Sequence, residues 1–448
     1  MIVNRNKSSK CTIFDLDSTA KLMKNLTFYF LIVFIIVSCN STKHIAKGDL
    51  LLTQNLVYID SVKTKNEDLE KYILQKPNSR FLNLPISLYF HNLGDHNKPK
   101  TITEWGKKNQ RIYNFIKKIF SEKQSISYAK SQIALNKWFL NYQSPVLVKK
   151  NKIKNTVNNL SAFFKTQGYF KSKVISKVDN YAPKKATVSY LVSKGKPTIL
   201  DTINVNIESA VLDSIYKTKS TYSFLHKGKQ YKDQLFRDEA SRVLKLFRNN
   251  GVYYFSESAL GFYVDSTRTD YKTNIELLIS SDRLIEKNGI YIEKPFKIHT
   301  IKEVNVITDY SFTQKGQSLK DSVLYEGIKF IAYNKLRYNP KYLAQSIFLK
   351  PNEIYKDTLS NLTRTHLKSL KNFKSSNIVY SSVPGKDNEL IMDIFLAPLE
   401  KFTVGVETEL THSNIRNFGV SGKFSITNRN TFKGTELLKL SVLGSWFN

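Results

Sequence analysis

The stretch from Glu400 to Asn448 alternates apolar and polar side chains in three successive segments. In the first segment the apolar residues occupy even positions: Phe402, Val404, Val406 and Leu410. The same alternation returns in Val420–Ile426 and again in Leu438–Trp446. A period of two places the apolar residues of a strand on one face. Alternating strands of about ten residues joined by turns are typical of a transmembrane β-barrel, with apolar side chains outward. The segment therefore predicts the first three strands of a barrel, residues 400–448.

The predicted barrel is incomplete. Only 48 residues follow Glu400, whereas the smallest barrels have about eight strands of roughly ten residues each. Three open strands would leave backbone hydrogen-bonding groups unpaired in lipid. We therefore expect a fragment of a longer protein or a truncated gene, and we do not expect the 448-residue chain alone to be a stable integral barrel.

The amino-terminal region predicts a signal peptide preceded by an extension. Residues 1–22 are polar and show no periodicity, which indicates an upstream extension that is not native or, alternatively, a translated and disordered segment. Met23-Lys24-Asn25 then precedes a 12-residue apolar run, Leu26 to Val37. That length fits a signal peptide and falls short of the ~20 residues that span a bilayer. Residues 23–38 are the predicted signal peptide.

The apolar run ends in Ile36-Val37-Ser38-Cys39, which is similar to a bacterial lipobox. Ile36 replaces the usual Leu, and Val37 stands where a small residue is common. The polar residues that follow would serve as a tether, so the sequence predicts lipidation of Cys39, with acyl chains such as palmitate binding the membrane. The alternative is a buried cysteine that ends a core helix. Cys11 is the only other cysteine, so we expect no role for disulfides in the fold.

Between the tether and the terminal strands, the chain is predicted to repeat one β-α-α-β-β pattern three times, over residues 39–195, 196–282 and 296–399. A long insertion, about 75–150, interrupts the first module. Two modules share apolar residues at eleven, eight and four positions before a glycine, Gly168 in the first and Gly251 in the second. The third has Lys371-Asn372-Phe373 in place of the glycine. Helices on one face of a small sheet define an α+β fold class.

Composition and motifs favour neither nucleic-acid binding nor catalysis. The formal net charge is +32, but the lysines are scattered singly, which indicates a solvated surface or one that contacts anionic lipid headgroups. The seven histidines show no metal-binding spacing, and no G-x-S-x-G, P-loop or dinucleotide fingerprint occurs. The acidic pairs Asp238-Glu239 and Glu407/Glu409 fit a solvated helix face and a wet barrel lumen. We therefore expect no enzyme, cofactor, metal or nucleic-acid partner.

The order of these features resembles the BamA/TamA family of outer-membrane assembly proteins, in which POTRA domains precede a barrel. A lipobox with three modules is most similar to the lipoprotein form of TamA. The resemblance covers residues 39 to 448. It is carried by Cys39 to Lys43, Gln75 to Phe81, Gly168-Tyr169-Phe170 and a turn that is similar to the family's periplasmic turn. The residues of that turn motif include Asn428, Arg429, Asn430, Phe432 and Gly434.

The resemblance implies an outer-membrane factor, lipid-anchored with its modules in the periplasm, that assembles or translocates other proteins. Its partners would be unfolded outer-membrane proteins, outer-membrane lipid and an inner-membrane-anchored protein. Unfolded clients would add a strand to a module edge, with Val252 to Leu260 and Ile378 to Ser382 as candidate strands. Phe402 to Leu410 would be the gate strand of a barrel seam. The alternative is a lipid-anchored periplasmic scaffold that has no barrel activity.

Overall fold

The computed structural model describes residues 41–81, 84–219, 222–265, 270–287, 290–314, 318–411 and 419–447. Cys39 and the predicted signal peptide lie outside these residues. The chain divides after Pro197 into two compact units. Among the helices of the described residues, none is both long enough and apolar enough to cross a bilayer.

The first unit contains a four-stranded sheet in the order β2-β1-β4-β3. Its strands are β1 (Leu51–Ile59), β2 (Val62–Thr64), β3 (Lys173–Ala182) and β4 (Lys185–Ser193). Strand β1 runs parallel to β4, which is the antiparallel partner of β3. The short helix α1 (Glu67–Glu70) and the long helix α6 (Lys150–Thr166) cover one face, where Leu160 and Tyr190 are almost fully buried in the core.

The insertion in this unit is helical. Its helices are α2 (Ile86–Leu93), α3 (Ile102–Lys108), α4 (Gln110–Ile119) and α5 (Glu122–Leu140). Side-chain caps begin two of them, because Thr101 accepts a hydrogen bond from the Glu104 N–H and Ser121 accepts one from the Gln124 N–H.

The second unit begins with a three-stranded sheet in the order β5-β7-β6 and two helices. The elements are β5 (Ile199–Ile207), α7 (Ala210–Lys219), α8 (Asp233–Asn249), β6 (Leu260–Asp265) and β7 (Lys272–Ile279). A two-stranded hairpin follows, formed by β8 (Asp282–Lys287) and β9 (Ile290–Pro295). Because β5 is parallel to β7 and β7 is antiparallel to β6, the topology repeats that of the first unit.

The third sheet has five strands in the order β11-β12-β10-β14-β13. Its elements are β10 (Thr300–Ile307), β11 (Asp321–Tyr325), β12 (Ile328–Ala332), α9 (Pro340–Ala344), α10 (Asp357–Ser369), β13 (Phe373–Val383) and β14 (Lys386–Pro398). The central strand β10 is parallel to both neighbours. A separate antiparallel sheet of β15 (Phe402–Thr411), β16 (Gly419–Arg429) and β17 (Leu437–Phe447) ends the described chain.

The predicted α+β class is confirmed. The β-α-α-β-β order occurs in all three modules, with the short strand β2 added in the first and strands β11 and β12 added in the third. In each module the first strand is irregular after its second paired residue, at Leu52, Leu200 and Ile301. Two residues beyond the end of each main helix lies a residue with positive φ: Gly168 (86°), Gly251 (95°) and Lys371 (55°). Lysine thus adopts at the third position the left-handed conformation that glycine accepts more easily.

The strand predicted from Val252 to Leu260 is wrong. The chain turns there, a 3₁₀ helix occupies Glu257–Ala259, and strand β6 starts only at Leu260. Val252 donates its N–H to the carbonyl of Phe247 at the end of α8 (3.0 Å). Its side chain and that of Phe255 are buried in the module core. Packing of this apolar segment under the helix therefore overrides its strand propensity.

Candidate functional site

The three terminal strands align their apolar residues in rows. Val404 lies opposite Ile426, and Ile426 lies opposite Leu440. Directly opposed residues of antiparallel strands point to the same face of the sheet. The other rows are Phe402-Asn428-Leu438, Val406-Phe424-Val442 and Leu410-Val420-Trp446. The register therefore builds one face that is apolar except at Asn428 and at the row of Thr408, Gly422 and Gly444.

This apolar face is exposed. The side chains of its outer strands are 61–74% accessible, and those of the central strand are 37–46% accessible. Monomeric soluble proteins rarely expose a continuous apolar surface of several rows, so such a face marks a contact with a membrane or with another protein. The residues predicted for the gate strand, Phe402, Val404, Val406 and Leu410, all lie on it, along β15.

The opposite face is polar. Glu407 of β15 pairs with Lys423 of β16 at 3.3 Å, and serine residues occupy the rows on either side. Two apolar residues of β17 are exceptions on this face: Leu437 is 38% exposed. Leu443 is 66% exposed. Their odd positions break the alternation of the third strand, and the sequence pattern did not predict these exceptions.

The turn between β16 and β17 covers residues 430–436. Asn428 and Arg429, predicted as part of the turn, are the last two residues of strand β16. Asn430, Lys433 and Thr435 have positive φ values of 57°, 65° and 63°, and Phe432 is 83% exposed. The loop between β15 and β16 falls on residues 412–418, outside the described residues.

The turn is attached to the third module by backbone and side-chain hydrogen bonds. The Asn430 side chain donates to the Arg337 carbonyl (2.8 Å), and the Asn339 N–H donates to the Lys433 carbonyl (2.8 Å). The buried Asn372 side chain donates to the Thr435 carbonyl. These contacts fix the end of the terminal sheet that lies nearest the module.

Arg429 extends this attachment to the strands themselves. Its Nε donates to the Lys371 carbonyl (3.1 Å), and its Nη1 donates to Thr403 Oγ1 (2.7 Å). Lys371 is the residue with positive φ that directly follows the C-cap of α10, Leu370. One guanidinium therefore joins the first strand of the terminal sheet to the helix end of the third module. Among the predicted turn residues, Arg429 and Asn430 make the connecting contacts, whereas the sequence reading missed Asn339, Asn372 and Glu436.

Glu436 holds the turn in shape. Its carboxylate accepts hydrogen bonds from the Phe432 N–H and from the Gly434 N–H, the latter at 2.8 Å. Partial desolvation opposes ionisation of the carboxyl group, but these backbone donors and the nearby Lys401 outweigh it. They keep the pKa of Glu436 below its ordinary value near 4.5. The charged form therefore stabilises the folded turn.

We expect Glu436→Gln to reduce the hydrogen-exchange protection of the turn amides about fivefold at pH 7, because a hydrogen bond contributes ~1 kcal/mol. A carboxyl group with a lowered folded pKa stabilises the fold above its unfolded pKa and loses this contribution as the pH falls. The difference between the two proteins should therefore shrink below about pH 4.5. Exchange followed by mass spectrometry at both pH values measures it.

The matched control is Glu303→Gln, which changes an exposed carboxylate on β10. It should leave protection of the 430–436 turn unchanged. Equal protection of these amides in the wild type and in Glu436→Gln at pH 7 would contradict the role given to this carboxylate.

Each module sheet has two outer strands within the described residues, and two of these strands bear on the candidate stretches. Strand β13, which contains the candidate stretch Ile378 to Ser382, is the outer strand of its sheet, and β6 is the outer strand of the preceding one. Outer strands present unpaired backbone donors and acceptors to a further strand. Strand β6 replaces the wrongly predicted Val252 to Leu260 as the candidate in the second module.

The Gln75 to Phe81 segment closes the base of the insertion. Gln75 donates its side-chain N–H to the Leu147 carbonyl (2.7 Å), and Asn78 donates to the Ser144 carbonyl (2.7 Å). Arg80 donates to the Thr53 carbonyl on β1 (2.9 Å). The segment therefore joins the beginning and end of the insertion to the sheet of the first module.

Within the described ranges, no group of three His, Cys, Asp or Glu residues is arranged to hold a metal ion. The solvated position predicted for Asp238-Glu239 is wrong at Glu239, which is buried. Its carboxylate pairs with Arg242 (2.6 Å) and accepts the Phe224 N–H (2.8 Å), so it stabilises the fold. These contacts belong to helix α8 and its neighbouring loop. The features that point to a function are therefore surfaces: the terminal apolar face and the module edges.

Known proteins resemble this chain in fold only. No protein-family model and no curated protein sequence matches it. The solved POTRA domains 3–5 of BamA from Haemophilus influenzae match with 11% identity over 79% of this chain and 99% of that chain, with a TM-score of 0.32. BamA from Haemophilus ducreyi lacking POTRA domains 1–3 matches with 10% identity over 56% of this chain and 37% of that chain (TM-score 0.35).

CdiB from Acinetobacter baumannii also matches, with 11% identity over 56% of this chain and 39% of that chain, and a TM-score of 0.26. All three TM-scores are below 0.5, so no functional argument rests on them. The fold class follows instead from the strand and helix order of this chain.

Proposed function

We propose that this chain acts in the assembly or translocation of outer-membrane proteins, with its modules receiving unfolded clients and its terminal strands forming part of a membrane barrel. The observation that carries the proposal is the apolar face of β15, β16 and β17. Three of its rows are apolar across all three strands, and the opposite face is mainly polar. This arrangement fits lipid on one side and a wet lumen on the other.

The modules supply the second part of the proposed activity. An unfolded client presents a backbone whose hydrogen-bonding groups have no fixed partners. An outer strand such as β13 can pair with it through main-chain hydrogen bonds, whatever the sequence of the client. The attachment of the 430–436 turn to the third module would then connect client capture to the terminal sheet. We propose binding and insertion, without catalysis, as the activity.

The location we propose is the outer membrane, with the modules in the periplasm and acyl chains on Cys39. The support is the lipobox-like sequence and the resemblance to the lipoprotein form of TamA. The client partners are unfolded outer-membrane proteins, and a partner anchored in the inner membrane would complete the system.

The seam can be tested by cysteine crosslinking in cells. Within the described sheet, β15 pairs only with β16 and is an outer strand. Glu409 on β15 and Ser421 on the central strand lie directly opposite each other on the same face. We expect Glu409→Cys to crosslink several-fold more than Ser421→Cys to a single cysteine in the last strand of a β-barrel client, because only an outer strand can accept another one.

Client assembly is followed in the same cells. Crosslinking of both positions to the same extent, or of neither while the client assembles, would contradict the proposed seam. The second of these results would favour the alternative of a scaffold that acts without a barrel.

A further inference from the structure

Helix α4 in the insertion of the first unit carries an apolar face that faces away from the helices around it. Ile112, Phe115 and Ile119 are 47%, 62% and 55% exposed, and Phe120, which follows the helix, is 67% exposed. Across Gln110–Ile119, all of which the structure describes, no residue is buried. The spacing of three, four and seven residues places the three helical side chains on one stripe.

A different face of α4, the one that carries Tyr113, packs against the rest of the first unit. The ring of Tyr113 lies beside Gly106 of α3. A Cβ atom added to Gly106 would be 3.6 Å from Tyr113 Cδ2, which is ordinary van der Waals contact. Trp105 is buried beneath, with its ring 5.7 Å from that of Tyr128 on α5. The helix is therefore held in place by its tyrosine side, and the stripe is left for another contact.

The charges around the stripe are almost all positive. Residues 107–118 contain five cations and no anion: Lys107, Lys108, Arg111, Lys117 and Lys118. Over residues 86–140, ten basic residues accompany only three acidic ones. One of the three, Glu122, pairs with Lys117 at 3.2 Å. On the helical wheel, Arg111 and Lys118 lie together at the border between the apolar stripe and the polar side. Lys117 lies on the side of the helix opposite the stripe.

We propose that α4 is a membrane-surface helix that lies in the plane of an anionic phospholipid bilayer. Its apolar stripe would enter the boundary between headgroups and acyl chains, while Arg111 and Lys118 at the border of the stripe would contact phosphate groups. A short helix with an apolar face and a basic polar face binds by burial of apolar area together with attraction to anionic lipid. Charge complementarity favours this occupant over an unfolded polypeptide, which carries no comparable density of negative charge.

The beginning of the described chain supports this placement. His44 Nε2 donates to the Asn92 carbonyl on α2 (3.0 Å), and Ile45 is buried with Leu88 of the same helix. His44 and Ile45, which follow Cys39 by five and six residues, therefore pack on the helical insertion. Acyl chains on Cys39, which are part of the proposed function, would hold this insertion at a bilayer. The stripe and its charges are observed independently of that anchor.

A site-specific fluorescent probe can test the proposal without relying on the anchor. The full chain with Cys11→Ser and Cys39→Ser would carry a polarity-sensitive dye at Phe115→Cys, on the stripe, or at Asn114→Cys, on the polar side. Each protein is mixed with vesicles of phosphatidylcholine containing 30% phosphatidylglycerol, with pure phosphatidylcholine vesicles, or with an unfolded outer-membrane β-barrel protein. A local probe is needed because the terminal apolar sheet can also bind lipid.

We expect a blue shift of the dye at position 115, and quenching by spin-labelled acyl chains, only with the anionic vesicles. The dye at position 114 should stay in water. Arg111→Gln with Lys118→Gln should weaken the response at position 115 roughly 25-fold, since each cation near an anionic surface contributes about fivefold. No shift with either type of vesicle, an equal shift with neutral vesicles, or a shift only with the unfolded protein would overturn the proposal. Failure here leaves the crosslinking test of the seam untouched, because that test uses another surface.

Discussion

Replacement of Gly251 by alanine is expected to lower the free energy of unfolding of the second unit by about 3 kcal/mol. Gly251 has a φ of 95°, and a left-handed backbone costs an L-residue roughly 1–2 kcal/mol. A Cβ at this position would lie 2.6 Å from Ile298 Cγ2 and 2.8 Å from Ile354 Cγ2. Overpacking of this kind costs a further 1–3 kcal/mol or so.

The position also joins two modules. The Gly251 carbonyl accepts the His299 N–H (2.8 Å) and faces His299 Nδ1 (3.2 Å). Beside it, the rings of Tyr253 and Tyr355 meet edge to face at 5.0 Å. A shift of the backbone at Gly251 would disturb this contact between the second and third modules, so we expect the two modules to unfold less cooperatively in the variant.

Urea denaturation followed by far-ultraviolet circular dichroism measures the effect, and Gly228→Ala is the matched control. Gly228 has a φ of 83°, but nothing lies within 4 Å of a Cβ placed there. Its substitution should therefore cost only the conformational part, about 1 kcal/mol. Equal losses of stability in the two variants would show that the close approach to Ile298 and Ile354 is not a constraint.

Local signals in the sequence were sufficient to predict the main helices of the repeated modules. An apolar stripe that ends at Gly168 or Gly251 specifies a helix and its left-handed end within one segment. The terminal strands were almost as predictable, because a period of two, which Leu437 and Leu443 break in the third strand, identifies the two faces without knowledge of the partner strand. Lys371 shows the limit, since its left-handed conformation is imposed by the surrounding module and its residue type does not reveal it.

Features that depend on distant contacts could not be read in the same way. The segment after Gly251 begins with Val252 and three aromatic residues and resembles a strand, yet Val252 and Phe255 are buried under a helix. The attachment of Asn430 to Arg337 joins residues 93 positions apart. Strands β11 and β12 are five residues each, too short for a periodic pattern to identify them.

The second large effect is expected on the apolar face of the terminal sheet. Val442→Lys places a charge in the row formed with Val406 and Phe424. If this row contacts lipid, as we propose, a lysine near the middle of the bilayer costs about 2–4 kcal/mol. In a Cys39→Ser background, which removes the proposed acyl anchor, the fraction of protein that resists extraction from phospholipid vesicles by urea should fall at least tenfold.

Ser441→Lys is the comparison that decides between lipid contact and a general effect of charge. Ser441 is the neighbouring residue, lies at the same depth and is exposed, but the register places it on the polar face opposite Ser425. A lysine in a wet lumen keeps its hydration, so this variant should remain in the membrane fraction. Retention of both variants would indicate that the apolar face covers a protein partner or no membrane at all. Loss of both would indicate that the strands tolerate no added charge, and only the loss of Val442→Lys alone supports lipid on the apolar face.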